Sequence, residues 1–105
     1  MPATDGDTLE LELTFSGELW YWRGPSPFHF VTAPDETSSA IRSIASLVTY
    51  GWGMIPVSGR IGGTDFTTAL FPKDGLYVVP VKDVVRRSEE LAIGDTVTVY
   101  LVIRA

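Results

Sequence analysis

Aromatic and cationic side chains recur together along this chain, in or beside segments that read as strands and turns. They are Trp20, Trp22, Arg23, Tyr50, Trp52, Arg60, Lys73 and Lys82. An indole face attracts cations and stacks on planar groups, and a guanidinium or ammonium group binds carboxylate or phosphate. The set predicts a site for a small anionic or aromatic ligand, or for a peptide. We expect Trp22, Arg23, Trp52 and Arg60 to converge on one cleft.

A purely structural role is the main alternative for the same residues. Tryptophans in a small barrel fill its core, and Arg and Lys stems commonly cover aromatic surface. Lys73 lies in the segment Pro72-Lys-Asp-Gly75, whose composition is typical of a turn. Under this alternative the residues scatter through the core and the surface.

The sequence offers no evident catalytic or metal site. His29 is the only histidine, and no Gly-x-Ser-x-Gly segment presents a serine beside it. Without cysteine, only carboxylates could accompany one histidine around a metal, and Glu10 and Glu12 read as a solvated strand face. The glycines at 51–53 and 59–63 lack the lysine or the following helix of phosphate-binding loops. We therefore predict no catalytic residue, no metal and no cofactor.

Composition and charge narrow the class of protein. The chain has 105 residues, 45% of them hydrophobic, which suits one globular domain. Its net charge of −5 disfavours nucleic-acid binding. Neither an export signal nor an apolar run of the roughly 20 residues of a membrane span is visible. We predict a cytoplasmic monomer that binds neither nucleic acid nor membrane, with a flexible segment at 1–7 and a single domain over 8–105.

Strands dominate the predicted secondary structure. Leu9, Leu11, Leu13 and Phe15 alternate with polar residues, as expected for a strand with one buried face. Beyond Gly17 the tryptophans fall on the face that had been polar, so either Gly17 is a bulge that swaps the faces or the second face becomes covered. Further strands are predicted at 28–32, 55–61, 66–71, 76–79 and 96–103.

Two helices complete the elements. Pro34 precedes an apolar stripe at helical spacing, which predicts a helix over about 35–48. Pro80 is predicted to open the second helix, whose apolar residues include Val84, Val85 and Leu91. The resulting order, ββαβ followed by ββαβ, indicates an internal pseudo-repeat although we find negligible sequence identity between the halves.

Two resemblances refine this expectation. The second half resembles the swapped-hairpin domains of bacterial transition-state regulators and antitoxins. From Leu11 to Val102 the chain more specifically resembles a family of small uncharacterised prokaryotic proteins, the domain of unknown function 1905 family. The match is carried by the segments Gly17-Glu-Leu-Trp-Tyr-Trp-Arg-Gly24, Tyr50-Gly-Trp-Gly53, Ile55-Pro-Val57, Leu70-Phe-Pro-Lys-Asp-Gly75 and Pro80-Val-Lys82.

The resemblance implies a fold and no activity. That fold is a mainly β, six-stranded double-split barrel with two short helices, in which one chain reproduces an intertwined dimer. Ala69 stands where a small hydroxyl residue is expected, and the family supplies no catalytic residues. Three functions remain open: a non-enzymatic ligand-binding or protein-interaction module, which we favour, a DNA-binding transcriptional regulator of swapped-hairpin type, and an enzyme of unknown class.

Overall fold

In the part of the chain that the structure describes, six strands and two helices follow one another in the order that the sequence predicts. The computed structural model describes residues 10–24, 28–49 and 53–104. The predicted flexible segment, and both Tyr50 and Trp52, lie outside these residues. The elements are β1 (Glu10–Trp22), β2 (Phe28–Thr32), α1 (Asp35–Val48), β3 (Ile55–Ile61), β4 (Thr64–Lys73), β5 (Leu76–Pro80), α2 (Asp83–Ser88) and β6 (Thr96–Arg104).

The strands form a closed antiparallel barrel in the order β1-β2-β5-β4-β3-β6. Two long strands each change partner along their length. β1 pairs with β6 as far as Glu18 and with β2 from Leu19 onward. β4 pairs with β3 as far as Leu70 and with β5 from Phe71 onward. These two changes of partner split the barrel twice and confirm the predicted double-split architecture.

The barrel interior is filled by the apolar residues of the alternating strands. In β3 and β6 every second residue is buried, as period-two patterning requires. Leu19, Leu70 and Leu101 are completely buried there. Burial of each such side chain contributes about 1.5–3 kcal/mol relative to exposure. The core therefore lies inside the barrel, and α1 and α2 cover it through Ile41 and Val85.

The two halves are related by a pseudo-twofold axis. Ala33 donates its N–H to the Tyr77 carbonyl at 2.9 Å, and Val81 donates its N–H to the His29 carbonyl at 2.8 Å. A twofold rotation that maps β1, β2 and β3 onto β4, β5 and β6 places each of these two hydrogen bonds at the position of the other. The strand registers then align 15–24 with 66–75 and 28–35 with 76–83. The repeat predicted from element order is thus present at the level of individual hydrogen bonds.

Gly17 marks the close approach of β2 to β1. A Cβ placed there would lie 3.0 Å from the Val31 side chain and 3.1 Å from the Thr32 carbonyl oxygen. The burial alternation of β1 continues through Gly17 without a change of face, since Phe15 and Leu19 are both buried. Of the two alternatives, the covered second face is therefore the one observed.

Pro80 does not open the second helix, and that prediction is wrong. It is the last residue of β5 and pairs with Phe30, whereas α2 begins at Asp83. The axis makes Lys82 the counterpart of Pro34, because each immediately precedes its helix. A proline can end a strand as readily as it begins a helix, so its position alone did not distinguish the two.

Ser38 of α1 fastens the helix to the sheet. Its fully buried hydroxyl donates to the Ala33 carbonyl oxygen and accepts the Tyr77 N–H, each at 3.0 Å.

Among the residues that the structure describes, no helix is long and apolar enough to cross a membrane.

Candidate aromatic and cationic site

An aromatic surface covers the outside of the sheet formed by the end of β1, β2, β5 and the end of β4. Alternation along a strand places every second side chain on one face, and the register then joins neighbouring strands. This surface, here called the aromatic face, consists of Trp20, Trp22, Phe28, Phe30, Phe71 and Lys73.

Phe30 is the centre of the aromatic face. Its ring centroid lies 5.2 Å from that of Trp20 and 5.3 Å from that of Phe71, the latter in an edge-to-face arrangement. It is fully buried, although it points away from the barrel core. The rings around it therefore form a second apolar cluster, in which aromatic pairs add roughly 0.5–1.5 kcal/mol beyond burial.

Trp20 belongs to this cluster as a structural residue. Its indole N–H donates to the Thr32 hydroxyl at 2.9 Å, which satisfies the polar group of a largely covered side chain. The hydrogen bond fixes the indole orientation beneath the more exposed rings.

Trp22 and Lys73 form the rim of the aromatic face. The Lys73 ammonium nitrogen lies 4.8 Å from the Trp22 ring centroid, within the range of cation–π attraction. The two residues lie on the outer strands of the sheet, with β2 and β5 between them. The sheet is therefore coiled, so that the end of β1 and the end of β4 approach each other across the aromatic face.

The rim leaves both apolar surface and positive charge accessible. Trp22 is 38% exposed and Phe28 is 49% exposed. Lys73 is also 3.7 Å from the carboxylate of Asp74, but that carboxylate is itself largely in solvent, where an ion pair contributes little. A ligand can therefore place a planar apolar group against the rings and an anionic group at the ammonium nitrogen.

The other predicted site residues do not all lie at this rim. Arg23 follows Trp22 directly and is exposed. Arg60 lies on the outside of β3 and pairs with Asp65 at 3.2 Å. Asp65 and Lys73 are at opposite ends of β4, roughly 26 Å apart along an extended strand. Trp22 and Arg60 therefore do not share one cleft, and the position of Trp52 lies outside the described residues.

Lys82 lies in a different place again. Its ammonium group donates to the Thr67 carbonyl oxygen at 3.2 Å, across the split between β4 and β5. It lines an open groove of about 580 Å³ together with Arg104. The predicted cations thus divide between the rim of the aromatic face and the outer face of β3, β4 and β6.

His29 lies on the opposite face of this sheet from the aromatic face, because its position alternates with Phe28 and Phe30 along β2. Its ring centroid is 4.8 Å from that of Tyr21. Partial burial and the nearby positive charge of Arg86 lower the pKa of His29, because both disfavour the imidazolium form. No group of three His, Cys, Asp or Glu residues suited to a metal occurs in the part of the chain that the structure describes.

Sequence reasoning missed Phe28, Phe30 and Phe71 as members of the site. For Phe28 and Phe30 the signal was present as two matched alternations, Trp20-x-Trp22 and Phe28-x-Phe30, on strands predicted to form a hairpin. Cross-strand pairing places such residues on one face.

Comparison with known proteins supplies a family. The family model described as "Domain of unknown function (DUF1905)" matches residues 15–101. None of the curated proteins matches the chain.

Proposed function

The chain belongs to the DUF1905 family, and we propose that it is a non-enzymatic binding module whose aromatic face holds a small ligand that joins a planar apolar group to an anion. The position of Lys73 above Trp22, at an accessible aromatic surface, is the observation that supports this proposal. The ammonium group supplies the anion contact, and the Trp22 and Phe28 rings supply the apolar contact.

The rigidity of the surroundings favours binding at this surface. Phe30 is completely buried beneath the rim, and Trp20 is held by its hydrogen bond to Thr32. A ligand therefore meets rings that are already ordered and loses less free energy to immobilising side chains.

A nucleic-acid role receives less support from the same observations. Lys73 lies on a different face of the barrel from Lys82 and Arg60, and Arg60 is paired with an acid. These cations therefore do not form the continuous basic stripe that phosphate backbones need. We expect no salt-sensitive complex with duplex DNA in a gel-shift titration at physiological ionic strength.

A thermal-shift comparison tests the proposed ligand class. The probes are aromatic carboxylates, each measured beside its neutral amide, because a ligand that binds the native state raises the unfolding temperature. We expect stabilisation by the carboxylates in the wild type and its loss in a Lys73→Met variant, which keeps an apolar stem but lacks the charge. Equal stabilisation by amides and carboxylates would contradict the proposal.

A further inference from the structure

Two open depressions adjoin each other on the outer face of β3, β4 and β6, with volumes of about 580 Å³ and about 540 Å³. Both are lined by Ser58, Thr67 and Val102, which form one row across the three strands. The depressions lie on opposite sides of this row. Because successive outward residues of a strand are about 6.7 Å apart, the centres of the depressions are separated by roughly that distance. One small molecule can therefore occupy both depressions, which are here together called the trough.

The first depression is cationic, since the charged residues that line it are Lys82 and Arg104. Lys82 donates to the Thr67 carbonyl oxygen, and an ammonium group has three donors, so two remain for a ligand. No carboxylate oxygen among the described residues lies within 4.0 Å of its nitrogen. Arg104 binds Glu10 through Nε at 3.0 Å, and its guanidinium retains further donors. Two cations at one end of the trough suit the double charge of a phosphate monoester.

The second depression suits a neutral group that carries hydroxyls. Arg60 and Asp65 line it as an ion pair at 3.2 Å and together offer donors and acceptors. Tyr100 and Val102 add apolar surface. The Tyr100 hydroxyl donates to the Glu12 carboxylate at 2.9 Å, which restrains the ring. The Asp65 carboxylate disfavours a second anion, so the two ends of the trough differ in the group that they accept.

The middle of the trough provides two hydroxyl groups. Ser58 and Thr67 are paired across β3 and β4, with their side chains on the outer face. Neither hydroxyl forms a hydrogen bond with another side chain or backbone group of the described residues. Both therefore remain available to a polar ligand that bridges the two depressions.

The pseudo-twofold axis carries these hydroxyls onto another hydroxyl pair. The strand registers make Thr98 the counterpart of Ser58 and Ser16 the counterpart of Thr67. Ser16 and Thr98 are hydrogen-bonded to each other at 2.8 Å. The same backbone arrangement thus holds a mutually satisfied pair in one half and an available pair in the other.

The charges differ between the same two places. The axis makes Glu18 the counterpart of Ala69, and Pro34 the counterpart of Lys82. The first depression therefore has a cation where its counterpart has proline, and a methyl group where its counterpart has an acid. An anion is favoured in only one of the two places.

We propose that the trough binds a sugar monophosphate. The phosphate lies at Lys82 and Arg104, and the sugar hydroxyls lie over Ser58 and Thr67 and reach Asp65. Charge-assisted hydrogen bonds hold the phosphate, whereas hydroxyl groups of the sugar both donate and accept. The trough lies on a different face of the barrel from the aromatic face, and the proposal does not depend on the function proposed for that face.

A structural role is the competing explanation for the same residues. Lysine beside an open strand edge prevents association of edges, and exposed ion pairs keep a sheet face solvated. On that explanation Lys82 and Arg104 attract phosphate weakly, and a sugar attached to the phosphate contributes nothing to binding.

NMR titration of the backbone amides with glucose 6-phosphate, inorganic phosphate and glucose tests the proposal. We expect glucose 6-phosphate to shift the amides of Ser58, Thr67 and Val102. It should bind about three- to tenfold more tightly than inorganic phosphate, because the sugar adds hydrogen bonds. Glucose should bind more weakly than glucose 6-phosphate, since it lacks the anion. Fructose 1,6-bisphosphate should bind no more tightly than glucose 6-phosphate, because its second phosphate meets Asp65.

Two lysine variants test the phosphate end of the trough. Lys82→Met should weaken binding of glucose 6-phosphate and of inorganic phosphate alike, by about three- to tenfold. Lys73→Met, which removes the same charge from the aromatic face, should change neither affinity. The amide spectrum verifies that each variant is folded.

Two hydroxyl variants test the sugar end. Ser58→Ala combined with Thr67→Val should reduce the advantage of glucose 6-phosphate over inorganic phosphate to less than about twofold. Ser16→Ala combined with Thr98→Val removes the symmetry-related pair and should preserve that advantage.

Three results would overturn the proposal. The first is the absence of shifts at Ser58, Thr67 and Val102 at millimolar glucose 6-phosphate. The second is equal affinity for inorganic phosphate and glucose 6-phosphate, which would leave the cations their structural role. The third is a Lys82→Met variant that retains the wild-type affinity for glucose 6-phosphate. None of these results bears on the aromatic face, which aromatic carboxylates and Lys73→Met test by themselves.

Discussion

Lys73 occupies in the second half of the chain the position that Trp22 occupies in the first, and the two side chains meet 4.8 Å apart across the aromatic face. A symmetric repeat would have placed two like residues at these corners. Divergence at this one pair instead produces a contact between a cation and an aromatic ring. The candidate site therefore arises from the difference between two halves that otherwise share their hydrogen bonding.

Replacement of Ser38 by alanine should destabilise the fold. The buried hydroxyl accepts the Tyr77 N–H and donates to the Ala33 carbonyl. Its removal therefore deprives each of these two backbone groups of one hydrogen bond. We expect a loss of about 1–3 kcal/mol in the free energy of unfolding, measured by urea denaturation. Ser39→Ala, at an exposed position on the same helix, is the control. Equal effects of the two substitutions would remove the role assigned to Ser38.

His29 should titrate below the ordinary histidine range. Partial burial and the charge of Arg86 both lower its pKa, while Asp83 opposes them. Because the folded-state pKa lies below 6.5, the contribution of His29 to stability should be constant above pH 6.5 and decrease as the pH falls through the folded-state pKa. The histidine is unique, so its ring proton signals in NMR report this pKa directly.

The Arg86→Gln variant tests the cause of the shift. Loss of the guanidinium should raise the pKa of His29, and Arg87→Gln, which removes a charge from the same helix, should change it less. A His29 pKa that is unaltered by Arg86→Gln would leave burial as the whole cause.

Tyr100 should titrate above the usual range of tyrosine. Its hydroxyl donates to the Glu12 carboxylate at 2.9 Å, which raises the pKa of Tyr100 because ionisation breaks the bond and creates a second negative charge. Stability from this bond is fully present below pH 10 and is lost as the pH rises through the folded-state pKa. Glu12→Gln should lower that pKa toward 10, as seen in the tyrosinate absorbance.

The tyrosinate signal is assigned to one residue by subtraction. The chain has four tyrosines, so the titration is repeated with Tyr100→Phe, and the difference belongs to Tyr100. A difference curve centred at or below pH 10 in the wild type would show that the bond to Glu12 does not form in solution.

Local patterning predicted most of the fold. The ranges of β2, α1 and β3 follow from alternation, helical spacing and the Pro and Gly residues that bound them. The equivalence of 15–24 with 66–75 was not apparent, because only Phe15, Leu19 and Gly24 recur as Phe66, Leu70 and Gly75, and the other positions share residue character at most, as Trp20 and Phe71 do. Strand register revealed it, since pairing fixes which residues correspond.

The site was predictable only in part. Trp22 and Lys73 were both selected from the sequence, but their contact depends on the coiling of a sheet whose outer strands are not adjacent. Arg60 was assigned to the same cleft because it shares their chemistry, yet its partner Asp65 lies at the far end of β4. Residue type indicates what a side chain can bind, and long-range topology decides which side chains act together.

Binding of 2-naphthoate and neutral 2-naphthamide, followed by NMR titration of the backbone amides, tests the central claim most directly. The account predicts shifts clustered at Trp22, Phe28 and Lys73, and about two- to fivefold weaker binding of the amide, the range expected for one exposed ionic contact. Lys73→Met should abolish the difference between the two compounds, and Arg60→Met should preserve it. Shifts clustered elsewhere, or a preference for the carboxylate that survives in Lys73→Met, would contradict the account.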